Sequence, residues 1–151
     1  MLHFKDFLKG IIMFKLTQSS EDYWLDLAHG VRLKVRPIDT MIYETARIKA
    51  VRQVGKLQEE LKSVTQNGGR VEGLPDFKDE DALSGYSHMV FVQALAKAAI
   101  LDWEGVGDEE GKPLPITDEA VEGLMRHHRL AESFIIAYAK PHIEVGLEGN
   151  A

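Results

Sequence analysis

Between Val31 and Arg36 apolar and basic residues alternate without a break, with Val31, Leu33 and Val35 on one side and Arg32, Lys34 and Arg36 on the other. A period of two marks a strand with one buried face. Tyr23–Leu27 is aromatic and aliphatic and reads as its neighbour, and Ala28-His29-Gly30 supplies the turn, so the pair forms an antiparallel hairpin. Phe14–Thr17 is also strand-like, ahead of a polar turn at Gln18–Glu21. Pro37 stops the second strand, and Asp39 or Thr40 can cap a helix after it. From Met41 to about Val64 the pattern becomes helical, with Met41, Ile48, Val51, Val54, Leu57 or Gln58, and Leu61 near one side. Arg47, Lys49, Arg52 and Lys56 make its first half basic. Glu59 and Glu60 come late, an unfavourable order for the helix dipole that Lys62 offsets in part. A helix of this length in a small domain is expected to project or to meet a partner.

Gln66–Pro75 is a loop by its turn chemistry, and Asn67-Gly68-Gly69 can adopt the positive φ that ends a helix. Asp76–Asp81 is acidic and suits a helix start. From Ala82 or Ser84 to Trp103 the chain is apolar on most sides, with Ala94, Ala96, Ala98 and Ala99 small enough to let neighbours close in. Such a helix is the buried centre of a domain or a subunit interface. Gly105, Gly107, Gly111, Pro113 and Pro115 come next in quick succession, too many breakers for a helix or a central strand. Thr117 is placed to cap a new helix, with Asp118 and Glu119 complementing the positive end of its dipole. The stretch Trp103–Thr117 reads as a helix–loop–helix corner. Beyond it Val121, Leu124, Met125 and His128 share a helical face, Leu130–Ala139 forms a further segment, and Pro141 is expected to end it. The expected fold is α+β but mainly α, a helical domain with a small N-terminal antiparallel hairpin or three-stranded sheet. Residues 13–142 form that domain. Residues 1–12 read as an N-terminal extension without a signal-peptide cleavage site, and 143–151 as a flexible tail.

Composition narrows the function classes. With 151 residues, 44% hydrophobic and 28% charged, the chain fits one ordinary soluble domain. Cysteine is absent, which removes disulfides and thiolate chemistry. The formal charge of -6 opposes binding to a phosphate backbone, which needs clustered Lys and Arg. The longest apolar run, near Phe91–Ile100, is interrupted by Gln93 and Lys97 and is too short to span a bilayer.

Few reactive groups stand in a recognisable arrangement. His127 and His128 are adjacent, so on a helix they point about 100° apart and cannot grip one metal as residues four apart can. Asp102, Glu104, Asp108, Glu109 and Glu110 lack the register of a calcium loop. Neither a nucleophile elbow nor a Walker loop occurs. No residue set spells out an enzyme, and no cofactor or metal is expected. The basic outer face of the hairpin reads as a solvated surface.

Two stretches carry a resemblance. One is Gly30-Val-Arg-Leu-Lys-Val-Arg-Pro-Ile-Asp-Thr-Met-Ile-Tyr-Glu-Thr-Ala-Arg47. The other is the corner, with Trp103, Gly105, Asp108, Gly111, Pro113, Pro115 and Thr117, together with the closing Glu148-Gly-Asn150. Together they resemble the tail assembly chaperones of long-tailed phages and prophages over most of Met13–Asn150. The resemblance implies a non-enzymatic helper in the bacterial cytoplasm. Such a helper binds the long, aggregation-prone tape measure protein, keeps it soluble and helps recruit tail-tube subunits, and it is generally absent from the finished particle. Adaptable apolar side chains would serve that work, which makes Met41, Ile48, Met89 and Met125 candidate partner-binding residues. Trp103, Gly105, Gly111, Pro113, Pro115 and Thr117 stand as structural signature positions. Self-association is open. The rival readings are a tail completion or connector component and a small DNA-binding regulator using Arg32, Lys34, Arg36, Arg47, Lys49 and Arg52.

Overall fold

The computed structural model describes residues 16, 21–69 and 71–143. The expected strand at Phe14–Thr17, apart from Leu16, lies outside the described residues, as do 1–12 and the tail beyond Ile143. The fold is mainly helical, with one small antiparallel sheet. In chain order come β1 (Tyr23–Asp26), β2 (Arg32–Val35), α1 (Thr40–Gln66), α2 (Glu80–Ala99), β3 (Ile100–Glu104), α3 (Asp118–Arg126) and α4 (His128–Phe134). Among the described residues no helix is long and apolar enough to cross a membrane.

The hairpin forms where alternation predicts it. Tyr23 faces Val35 and Asp26 faces Arg32, and the 3-10 turn Ala28–Gly30 joins the strands. Val31, Leu33 and Val35 are all buried, at 4%, 0% and 0% exposure. The sheet order is β1-β2-β3, so β2 is central and its second partner arrives from beyond two helices.

That third strand corrects the sequence reading. The apolar pattern predicts a helix as far as Trp103, but α2 stops at Ala99 and Ile100 turns to extended backbone. Leu33 then pairs with Trp103, Lys34 with Asp102 and Val35 with Ile100, which leaves Leu101 as an extra residue on β3. This bulge is why Ile100 and Trp103, three residues apart, both reach the core, where strict alternation would place them on opposite faces. The unpaired edge of β2 gains hydrogen-bond partners by this arrangement, and the corner becomes strand–loop–helix.

The core joins the inner face of the sheet to the second half of α2, to α3 and to α4. Leu33, Val35, Leu95, Phe134 and Tyr138 are almost wholly enclosed there. Burying each of these aliphatic or aromatic side chains contributes about 1.5–3 kcal/mol. Buried Gln93 donates from Nε2 to the carbonyl of Glu122, and Lys97 forms an ion pair with the Glu122 carboxylate, so α2 is tied to α3. At His127 the backbone turns extended and separates α3 from α4. His128 therefore does not share the face of Val121, Leu124 and Met125; it is exposed and pairs with Glu132 at 3.2 Å.

Pro141 does not end the last helix, which continues through residues 140–143. A π-helical turn, Ile135–Ala139, precedes it, and the amide of Lys140 reaches back to the carbonyl of Ile135. The wider turn loosens the helix where a proline ring would otherwise press on the preceding turn. α1 and α2 lie side by side, connected by residues 67–79, with a smaller cluster of Ala50, Val54 and Val90 between them.

Candidate binding surface

α1 has 27 residues and a length of about 40 Å. Asp39 caps its start, accepting from the amide of Ile42 at 2.8 Å. At its end Gly68, at φ 79°, allows the amide of Gly69 to return to the carbonyl of Val64. The side that packs is Ala46, Ala50 and Val54, at 1%, 5% and 7% exposure. These positions lie four apart, and their small side chains let α1 approach α2 closely. The apolar side expected from the sequence divides accordingly. Val54 packs inward, whereas Met41, Ile48 and Val51 point away, at 71%, 48% and 64% exposure. Two alanines carry little hydrophobic weight, so the larger exposed residues dominate the pattern.

The charges of α1 also face outward. Arg47 is held by Glu44 at 2.7 Å, but Lys49, Arg52 and Lys56 make no ion pair among the described residues. The basic face of β2 is different. Arg32 sits between Asp26 at 2.8 Å and Glu104 at 3.2 Å and lies 5.0 Å from the centre of the Trp24 ring. Lys34 stands opposite Trp24 on one side and Asp102 on the other. Hydrogen bonding to Asp26, and then to Glu104, raises the Arg32 pKa further. Arg32, the cation at the centre of the outer face of the sheet, is thus compensated on both sides, and little of its positive field is left for a phosphate backbone.

The corner is built for shape. Trp103 is 8% exposed, and its Nε1 donates to the carbonyl of Leu114 at 2.8 Å. Gly105 has φ 82°, and a β-carbon there would stand 2.5 Å from the Gly30 carbonyl oxygen. The loop then folds back on itself. Gly107 bridges Pro113, and the carboxylate of Asp108 accepts from the amides of Glu110 and Lys112. Gly111 takes φ 82°, exposed Pro115 leads out, and Thr117 caps α3 by accepting from the amide of Ala120 at 3.1 Å.

The candidate partner-binding residues do not converge. Met41 and Ile48 share the outer side of α1, Met89 is half-buried on α2, and Met125 is a core residue at 2% exposure. Val51, beside Ile48, joins the exposed set. Two clefts flank α1. One, of about 880 Å³, lies under its C-terminal end and is lined by Leu61, Val71, Leu74, Pro75 and Phe77 among others. A smaller one of about 270 Å³ lies between Tyr43, Phe91, Ile135, Ala139 and Ile143, with Arg47 and His88 also in its lining. The larger forms within residues 58–78, where the end of α1 meets the loop after it, whereas the smaller depends on segments distant in the chain, for which sequence patterns carry no signal.

Comparison with known proteins assigns the chain. The sequence model of the YdaY prophage protein family matches residues 38–142, well over half of the sequence. The chain belongs to that family. No curated protein and no solved structure gives a match. The part aligned with the YdaY family starts at the entry to α1 and runs through α2, β3, the corner, α3 and α4, so it includes the outward face of α1. The strands β1 and β2 precede it.

Proposed function

We propose that this YdaY-family prophage protein is a non-enzymatic tail assembly chaperone. In that role it binds the tape measure protein in the bacterial cytoplasm, holds it soluble and assists assembly of tail-tube subunits around it. The observation that carries the reading is the outward side of α1, where Met41, Ile48 and Val51 stand in solvent on a long helix packed on its other side by α2. Exposed aliphatic side chains on a rigid helix offer apolar area to amphipathic helices. Membership of a prophage protein family and the chaperone-like order of hairpin, long helix and Trp103–Thr117 corner support the same role.

Co-expression with the tape measure protein of the same prophage tests it. The tape measure protein is expected to move from the pellet to the soluble fraction and to co-elute with this chain. If it stays insoluble while this chain is found in purified particles, the protein is instead a structural tail component.

A further inference from the structure

We infer that the outward face of α1 receives one kind of partner, an amphipathic helix whose apolar stripe is bordered by Asp and Glu. On a helical projection Met41, Ile48, Val51 and Gly55 fall within an arc of about 80°. Arg52, Lys56 and Lys49 occupy the adjoining arc of about 60°. Met41, Ile48 and Val51 are exposed, and the three cations have no ion-pair partner among the described residues. Between Met41 and Gly55 the one acidic residue inside the apolar arc, Glu44, is already engaged by Arg47. An apolar stripe with one cationic border is complementary to an apolar stripe with an anionic border.

Gly55 supports close approach of another helix. It interrupts the interior of α1, where glycine weakens a helix, yet a β-carbon there would meet nothing within 4 Å. The packing of the folded chain therefore does not require it. A helix crossing over Ile48 and Gly55 would find room for its backbone there.

The face selects a protein helix over an anionic membrane or a nucleic acid. Glu59 continues the stripe beyond Gly55, Glu60 comes directly after it, and the chain carries a net charge of -6. A uniformly negative surface would be repelled where the stripe ends, whereas a helix can match cations first and carboxylates after. The identification of this helix with part of the tape measure protein rests on the chaperone reading; the chemistry of the face does not.

The test uses the full chain and two synthetic helical peptides with the same leucine stripe, one bordered by Glu and one by Lys. Binding is followed by fluorescence anisotropy at low and high salt. The Glu-bordered peptide is expected to bind at least about tenfold more tightly than its Lys counterpart, a preference that salt weakens. The triple variant Lys49→Gln, Arg52→Gln, Lys56→Gln should bring the two close to parity, and Ile48→Ser should weaken both. All four positions are exposed, and circular dichroism verifies that the variants fold. Equal binding of the two peptides, binding of neither, or binding unchanged in the variants overturns the inference. So does Ile48-dependent binding to anionic phospholipid vesicles in place of the peptide, or a dimer of this chain that Ile48→Ser dissolves. Failure of the tape measure protein to co-purify while the acidic peptide binds would remove the chaperone role and keep the docking face. Co-purification that ignores the triple variant would do the reverse.

Discussion

Gly105 shows how much a single position can decide. Its φ of 82° is costly for any residue with a β-carbon, and that carbon would also collide with the Gly30 carbonyl oxygen. The second constraint involves backbone on both sides, so neither partner can swing away. Gly105→Ala is expected to destabilise the protein by about 3 kcal/mol, read from denaturant unfolding, whereas alanine at Gly111, where the only obstacle is φ, should cost about 1 kcal/mol. Equal losses at the two sites would show that the contact with the hairpin turn is not tight.

Tyr138 makes the complementary case for a buried polar group. The ring is 1% exposed and stacks on Phe134 at 5.2 Å, and its hydroxyl donates to the Arg36 carbonyl at 2.9 Å. Burial first, and then the nearby Tyr23 and Asp39, push the phenol above its ordinary value of 10. The folded state therefore favours the neutral phenol. Its contribution to stability is complete below about pH 10 and declines as pH rises from there toward the folded value. Tyr138→Phe should cost about 1 kcal/mol at neutral pH and should flatten part of the alkaline loss of thermal stability. An identical alkaline decline in both proteins would assign that loss to other groups.

At the scale of elements, α1 is the one whose composition is not explained by the fold alone. Its packed side uses Ala46, Ala50 and Val54, and its large aliphatic residues face solvent. Gly55 lies in open space within it. Gly55→Ala is expected to stabilise the isolated protein by about 0.5–1 kcal/mol through helix propensity, visible as a rise in melting temperature. If a partner helix crosses at that point, the same variant should bind the Glu-bordered peptide more weakly. A loss of stability would instead mean that the open space beside Gly55 is needed by the chain itself.

Two other elements show why local patterns mislead. Ile100 and Trp103 are spaced as neighbours on a helix, and after an alanine-rich helical run they read as its continuation. The bulge at Leu101 gives the same inward pair on a strand. Pro141 reads as a helix stop, and the π-helical turn before it lets the helix pass. At Leu101 the irregularity satisfies a constraint set by the distant β2, and before Pro141 one set by the proline ring itself.

For the whole molecule, charge placement matters more than charge sum. On β2 Arg32 is paired with Asp26 and Glu104, whereas Lys49, Arg52 and Lys56 in the middle of α1 make no ion pair among the described residues. A chain with net charge -6 thus keeps a local cationic border beside an exposed apolar stripe. Co-purification with the tape measure protein examines the partner, and the paired peptides examine the surface. Each can succeed without the other.

By itself the sequence determined the hairpin, because alternation from Val31 to Arg36 has one solution when one face must be buried. It determined the limits of α1 and the start of α3, because Asp39, Gly68 and Thr117 act on the backbone within a few residues of themselves. It also placed the apolar centre of the chain in α2. Only the tertiary structure decided the outward side of α1, because alanines recognise a close neighbour without announcing it by hydrophobicity. Only the tertiary structure made Ile100–Glu104 a strand, because β2 had an edge to fill, and enclosed Met125 while leaving Met41 and Ile48 in solvent. Short-range backbone chemistry can be read along the chain, but the face a helix buries depends on what the rest of the molecule brings against it.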